Sequence, residues 1–318
     1  MAEVPVQEAA FTGFRVVWER PWAAAIWAGV GLVTSVAFSS FITLTSGPAA
    51  MQLMQMQQAG TLATADPVRT LGLLSQLLPM YGVLLGFDLL FYPVLTAAMN
   101  RAVLRPKEDG FGYFRLGGDE WRQLLLLLIY AGLGLGAYVV AIVFVVIVAA
   151  VGVVAGGAGA AGIIAVLIPA MLIVGGICGA AVLGVRLSLS SALTYATKKV
   201  NPFGSWALTR GRFWPLLGTY LLALFMALIV WLLVSAVSVA AAAIFGGGNP
   251  FPTLFNPDLT SPQSYFVPAR IAYLAPTAMS SALLWPLLMT PAATIYRRLA
   301  PAHGLPTGAN GSISDVFA

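Results

Sequence analysis

Three segments of about twelve residues, rich in aromatic and basic side chains, run directly into long apolar stretches: FTGFRVVWERPW from Phe11, FGYFRLGGDEWR from Phe111 and FGSWALTRGRFW from Phe203. Aligned, they place an aromatic first (Phe11, Phe111, Phe203) and fourth (Phe14, Phe114, Trp206). A further large aromatic recurs near the end (Trp18 or Trp22, Trp121, Phe213 or Trp214), and each copy carries two arginines (Arg15 and Arg20, Arg115 and Arg122, Arg210 and Arg212). Aromatic rings settle at headgroup depth, and juxtamembrane cations favour the cytoplasmic leaflet. The repeat therefore predicts three copies of one membrane-inserting unit, each a pair of spans led in by an interfacial foot.

Composition supports that reading. Apolar residues fill 59% of the 318 positions and charged residues 8%, against roughly 25% charged in soluble domains. Several stretches approach the roughly 20 apolar residues that cross a bilayer core. The fold class expected is all-α, a polytopic membrane bundle of six transmembrane helices. The net charge of +5 is then a matter of where cations lie, not a nucleic-acid footprint. The single cysteine, Cys178, sits in an apolar run, and the single histidine, His303, lies in the polar tail. Disulfide, C-x-x-C and histidine-cluster chemistry are thereby excluded within one chain. Residues 1–10 hold Glu3 and Glu8 and no basic residue, unlike the start of a cleavable signal.

Apolar runs predict spans at about 21–42, 71–104, 124–151, 163–185, 213–245 and 271–296. Residues 6–20 read as an amphipathic helix, with Phe11, Phe14 and Trp18 on one face. The second run exceeds the bilayer and is expected to tilt, or to bend at Pro79 or Pro93. GVVAGGAGAAG, residues 152–162, reads as the hinge between the third and fourth spans, with no phosphate-loop pattern. Gly132, Gly134 and Gly136, and Gly175, Gly176, Gly179 and Gly184, are expected to let helix backbones approach closely. Residues 301–318 read as a disordered tail.

Orientation follows from the cations. One side holds Arg15, Arg20, Arg101, Arg105, Lys107, Arg115, Arg122, Arg186, Lys198, Lys199, Arg210, Arg212, Arg297 and Arg298, leaving only Arg69 and Arg270 for the other. The first side, with both termini, is expected to be cytoplasmic. Two spans per unit give all three hairpins (about 6–104, 107–199 and 200–298) the same direction, so the repeats are parallel and related by an axis along the membrane normal.

Asp88, in YGVLLGFDLLFYP, is the sharpest candidate site. A carboxylate at mid-bilayer costs at least about 2.5–3.5 kcal/mol. It is expected to face the bundle interior, pair with a cation or stay protonated, as a proton or cation site, a polar contact for a bound headgroup, or an interhelical hydrogen bond to Ser, Thr or Tyr. Arg115, Asp119, Glu120 and Arg122 read as a solvated, salt-bridged surface. Arg15, Arg20, Arg115, Arg122, Arg210 and Arg212 are candidate headgroup ligands. Phe11, Phe14, Trp18, Phe111, Phe114, Trp121, Phe203, Trp206 and Trp214 are interfacial aromatics. No catalytic triad, zinc spacing or nucleotide fingerprint occurs, so no catalytic residue, metal or cofactor is assigned.

FGYFRLGGDEWRQL entering a span, RLSLSSALT leaving the fourth and SWALTRGRFWPLLGTYLL entering the fifth resemble the membrane domain fused to some bacterial glycerophosphodiester phosphodiesterases, and related stand-alone six-span proteins. The resemblance implies the fold and a bacterial inner-membrane address. The catalytic domain of those enzymes has no counterpart in this chain. The expectation is a non-catalytic lipid-interacting, scaffold or regulatory protein. Its expected partners are membrane lipids, anionic ones first, and another membrane protein, but not nucleic acid. The alternative is a transporter or channel subunit using Asp88.

Overall fold

The computed structural model describes residues 4–61, 64 and 66–307, and the side chains of all of these except 148–149, 151–170 and 173. The chain is all-α and carries six helical segments long and apolar enough to cross a membrane. It is a multi-pass membrane protein. Helix α1 (Val6–Glu19) lies ahead of the first span, α2 (Pro21–Thr45). Pro21 occupies the first helical position of α2, where its missing N–H costs nothing.

The polar stretch after α2, too hydrophilic to remain in lipid, contains α3 (Gly47–Gln58). The second span is two helices, α4 (Pro67–Ser75) and α5 (Leu78–Leu104), broken at Gln76–Leu77. Pro79 sits in the first turn of α5, and residues ahead of a proline resist helical geometry. The break therefore precedes Pro79, while Pro93 is carried inside α5.

The next helical run, α6 (Gly118–Leu187), is 70 residues long. A straight helix of that length would separate its ends by about 105 Å. Yet Lys198 Nζ lies 2.6 Å from Asp119 Oδ2, and the Tyr130 hydroxyl lies 2.6 Å from Ser190 Oγ. The run therefore doubles back, and its arms face each other through Gly134 and Ala137 on one side and Leu183 and Gly184 on the other. Midway along the chain between those pairs lies the glycine–alanine stretch 152–162, whose side chains fall outside the described residues.

Short helices α7 (Ser190–Thr197) and α8 (Ser205–Thr209) lead to the fifth span, α9 (Phe213–Gly246). Beyond it, α10 (Phe251–Phe255) and α11 (Pro262–Tyr265) build the outer loop. There the hydroxyl and amide of Thr260 hold the Asp258 carboxyl below the usual range. The sixth span is α12 (Pro268–Met279) and α13 (Ser281–Leu299), broken at Ser280.

The core sits at the basic end of the bundle. Helix α13 is its axis, touched by α1, α2, α5, α7 and α9. The fit there is made by small and polar groups, as expected where lipid supplies no hydrophobic drive between helices. Helix α1 buries Ala9, Thr12, Gly13 and Val16 against α13 and turns Phe11 and Trp18 outward. Thr294 donates to Thr12 Oγ1 at 3.0 Å, and Ser281 to the Trp27 carbonyl at 3.0 Å. A Cβ placed on Gly13 would lie 2.6 Å from the Leu287 backbone.

Away from that end α12 still packs on α9 and α2. The α6 glycines expected to mediate close approach (Gly132, Gly134, Gly136, Gly175, Gly176, Gly179 and Gly184) have nothing among the described residues within 4 Å of a Cβ built on any of them. The close approaches fall instead at Gly13, Gly31 and Gly47, which sequence reading passed over.

The three aromatic–basic feet also differ from one another. Only the first is a long helix. The second is a 3-10 turn at Gly110–Tyr113 with Gly112 at φ +55°, and helix resumes only at Gly118. The third is broken by Gly211 at φ +74°, between the five residues of α8 and the start of α9 at Phe213. Glycine permits these left-handed bends, so a shared aromatic pattern does not produce a shared backbone. Of the predicted disordered tail, residues 301–307 are placed, with the Tyr296 hydroxyl donating to the Pro306 carbonyl at 2.9 Å. Residues 308–318 lie outside the described residues.

Candidate functional site

Five cations and three acids meet where α5 ends and α6 begins. Arg101, in the last turn of α5, is only 2% exposed, and Glu120, in the first turn of α6, 6%. Arg101 Nη2 donates to Glu120 Oε1 at 2.7 Å, and its Nη1 to the Tyr113 carbonyl. Asp119 receives Lys198 at 2.6 Å and Arg122 at 2.9 Å, and lies 3.9 Å from Arg101. Glu108 joins Arg115 at 3.3 Å and Arg105 at 3.4 Å. The Tyr195 ring receives Arg101, Arg105 and Lys198, the last at 4.5 Å from its centroid. Buried charges persist only when paired and hydrogen-bonded, and this network meets most of that requirement. Two buried atoms within it make no hydrogen bond among the described residues, the Tyr195 hydroxyl and Arg101 Nε, the latter lying 4.0 Å from Glu108 Oε2.

The second foot is folded around this cluster. Its left-handed Gly112 brings the backbone to Trp27, whose Nε1 donates to the Gly112 carbonyl at 2.9 Å. Arg20 donates to the Pro106 carbonyl at 2.7 Å and to the Tyr113 hydroxyl. The loop 105–117 is thereby pinned to α2 on one side and to Arg101 on the other.

A charged cleft of about 580 Å³ opens over the network, lined by Arg101, Arg115, Arg122 and Lys198 against Asp119 and Glu120. Beside it runs an apolar groove of about 650 Å³ between Phe87, Leu90, Phe91 and Val94 of α5 and Trp121 and Leu124 of α6. Leu116, Gly117 and Glu120 line both, so the two spaces adjoin across a shared wall. A polar end with excess positive charge, beside a hydrocarbon-lined channel, matches an amphiphile with an anionic head.

No protein-family model, no curated protein and no solved structure matches this chain. The site is therefore read from its geometry.

Of the predicted headgroup ligands, Arg115 and Arg122 are brought together, with Arg101 and Lys198. The others lie elsewhere. Arg15 bridges Glu8 and Glu19 at 4.0 and 3.9 Å. Arg20 is bound to the loop below Trp27, and Arg212 donates to the Leu208 carbonyl at 3.2 Å. Arg210 is exposed, with no hydrogen bond or ion pair among the described residues. Three equivalent basic pockets do not form, because the three feet fold differently.

Asp119 and Glu120 are not the solvated surface expected of them. Their partners Arg101 and Lys198 are remote in sequence, and only the meeting of α5 with the α6 hairpin closes the network. Asp88 departs from expectation in the opposite direction: it is exposed and makes no hydrogen bond or ion pair among the described residues. Phe87 and Phe91 of α5 pack against Phe38 and Trp285, while Asp88 lies on the uncovered face of the helix, so mid-span position does not make it interior.

Seven of the named aromatics (Phe11, Trp18, Phe111, Trp121, Phe203, Trp206 and Trp214) are exposed, Trp18 at 88%. Phe14 and Phe114 are partly buried, and Phe114 packs against Phe91 at 6.1 Å between ring centres. The residues that sequence reasoning missed are Glu120, Tyr195 and Trp27 as members of one cluster, together with Arg101 as its centre. Nothing in local periodicity pairs them. The one available signal was an arginine and an acid each within a turn of a membrane-helix end.

Proposed function

We propose that this chain is a non-catalytic integral protein of the bacterial inner membrane that binds an anionic lipid at the junction of α5 and α6. The observation that carries the reading is the adjacency of the charged cleft and the apolar groove, which share Leu116, Gly117 and Glu120 as a common wall. A phosphate meets Arg115 and Arg122 at the mouth of the cleft, and an acyl chain lies against Phe87, Phe91 and Leu124. Arg101 and Lys198 hold the acids in place and keep the site positive. The distribution of arginine and lysine supports a cytoplasmic position for both termini and for the cleft. The aromatic–basic repeat supports three parallel hairpins of common origin, and the interface motifs support kinship with the phosphodiesterase-associated membrane domains. Asp88, exposed on α5, supplies no interior polar path for a transporter.

The test uses the full chain in nanodiscs of phosphatidylcholine doped with phosphatidylglycerol, with retained lipid measured by native mass spectrometry. Each juxtamembrane cation attracts anionic lipid by about 1 kcal/mol, which corresponds to about fivefold in occupancy. Arg115→Gln with Arg122→Gln should therefore cut phosphatidylglycerol retention by more than about tenfold. Unchanged retention would refute lipid recognition at this cleft.

A further inference from the structure

A second cavity, of about 670 Å³, lies on the other side of the α5–α6 contact, between α5 and the two arms of the α6 hairpin. Its walls are apolar, with Leu126, Leu133, Leu183 and Phe203 among them, and none of its lining residues is charged. Leu133 and Phe203 are themselves exposed, so the cavity opens sideways into lipid.

The polar floor decides what fits. The Thr96 hydroxyl donates to the Tyr92 carbonyl at 2.7 Å, and the Ser188 hydroxyl to the Val185 carbonyl at 2.9 Å. Tyr130 donates to the Pro202 carbonyl at 2.7 Å. Gln123 and Ser191 are bonded to one another, with the Gln123 amide donating to the Ser191 carbonyl at 2.9 Å and the Ser191 hydroxyl to Gln123 Oε1 at 3.0 Å. The hydroxyl protons of Thr96 and Ser188 are thus committed within the protein, and what those oxygens still offer the cavity is lone pairs. An incoming head that donates is favoured, and it must be uncharged, because a phosphate would find no counter-charge and at most the second N–H of the Gln123 amide.

We infer that this cavity is a binding site for a neutral lipid bearing a free hydroxyl, of the diacylglycerol class. The hydroxyl donates to Thr96 or Ser188, and the acyl chains leave past Leu133 and Leu183 into the bilayer. The site is separate from the anionic cleft and does not depend on it.

The full chain in phosphatidylcholine nanodiscs is exposed to dioleoylglycerol carrying a diazirine on one chain, and in parallel to phosphatidic acid with the same chains. Crosslinks are mapped by mass spectrometry. Dioleoylglycerol should label residues 123–137 and 183–191, and phosphatidic acid should label them at least about tenfold less. A Cβ at Gly134 or Gly184 would meet nothing within 4 Å, so Gly134→Leu and Gly184→Leu fill the cavity without disturbing a neighbour. Each should lower labelling at least about fivefold without lowering the melting temperature. Thr96→Val with Ser188→Ala should lower it about fivefold by removing the acceptors. Arg115→Gln with Arg122→Gln should leave it unchanged, which separates this site from the cleft. Equal labelling by phosphatidic acid, or dioleoylglycerol labelling that survives both leucine variants, would overturn the assignment.

Discussion

Helix α13 and the α6 hairpin enter the same membrane and are used in opposite ways. The α12–α13 span is among the least apolar of the six, yet α13 is the axis of the core. The first arm of α6 is among the most apolar, and hardly any of it is buried. Glycine shows the same contrast. Gly13 is wedged against the Leu287 backbone, whereas Gly134 and Gly184 border empty space. In water the most apolar segment would be the most buried. In lipid it gains nothing from contact with protein, and what draws helices together is small-residue fit and interhelical hydrogen bonding. Hydropathy therefore locates a span and says little about its neighbours.

That contrast is open to direct attack, beginning where the largest effect is expected. Arg101→Ala strands Glu120 in a buried site and should cost about 3–5 kcal/mol of stability in detergent melts. Replacing both partners by Met should recover most of the loss, since breaking a buried pair costs more than removing it. Next, Gly13→Ala forces α1 away from α13 and should cost about 1–3 kcal/mol. A smaller loss, about 1 kcal/mol, is expected for Trp27→Phe, which removes the hydrogen bond to the Gly112 carbonyl while keeping the ring. At the bottom of the scale, Gly134→Ala and Gly184→Ala should be neutral or stabilising by up to about 1 kcal/mol, because alanine is the better helix former and the space is free. Should the hairpin glycines prove as sensitive as Gly13, the α6 arms are tightly packed and the contrast fails.

The spans were legible because insertion is a local property. The fifth was expected at 213–245 and runs Phe213–Gly246. Where the reading missed or was silent, the cause was non-local. Helix α3, in a Met- and Gln-rich stretch, is steadied by Ser46 donating to the Gln76 carbonyl at 3.1 Å, a contact across the following turn. The break before α5 was expected at Pro79 or Pro93 and fell just ahead of the first. Of the candidate site, Arg115 and Arg122 were anticipated as headgroup ligands. The buried Arg101–Glu120 pair was not, because a loop separates the two residues and each alone resembles an ordinary helix-end charge.

The amino-acid sequence by itself determined which stretches enter the membrane, since the transfer free energy of a segment sums over its own side chains. Tertiary structure alone decided which faces meet. It placed Asp88 outside the bundle and brought Asp119 and Glu120 into a buried network. It left Gly134 and Gly184 lining a cavity, not a helix seam. The physical reason is that lipid is as good a neighbour as protein for an apolar side chain, so contact is set by the few polar and small groups that happen to face one another across the fold.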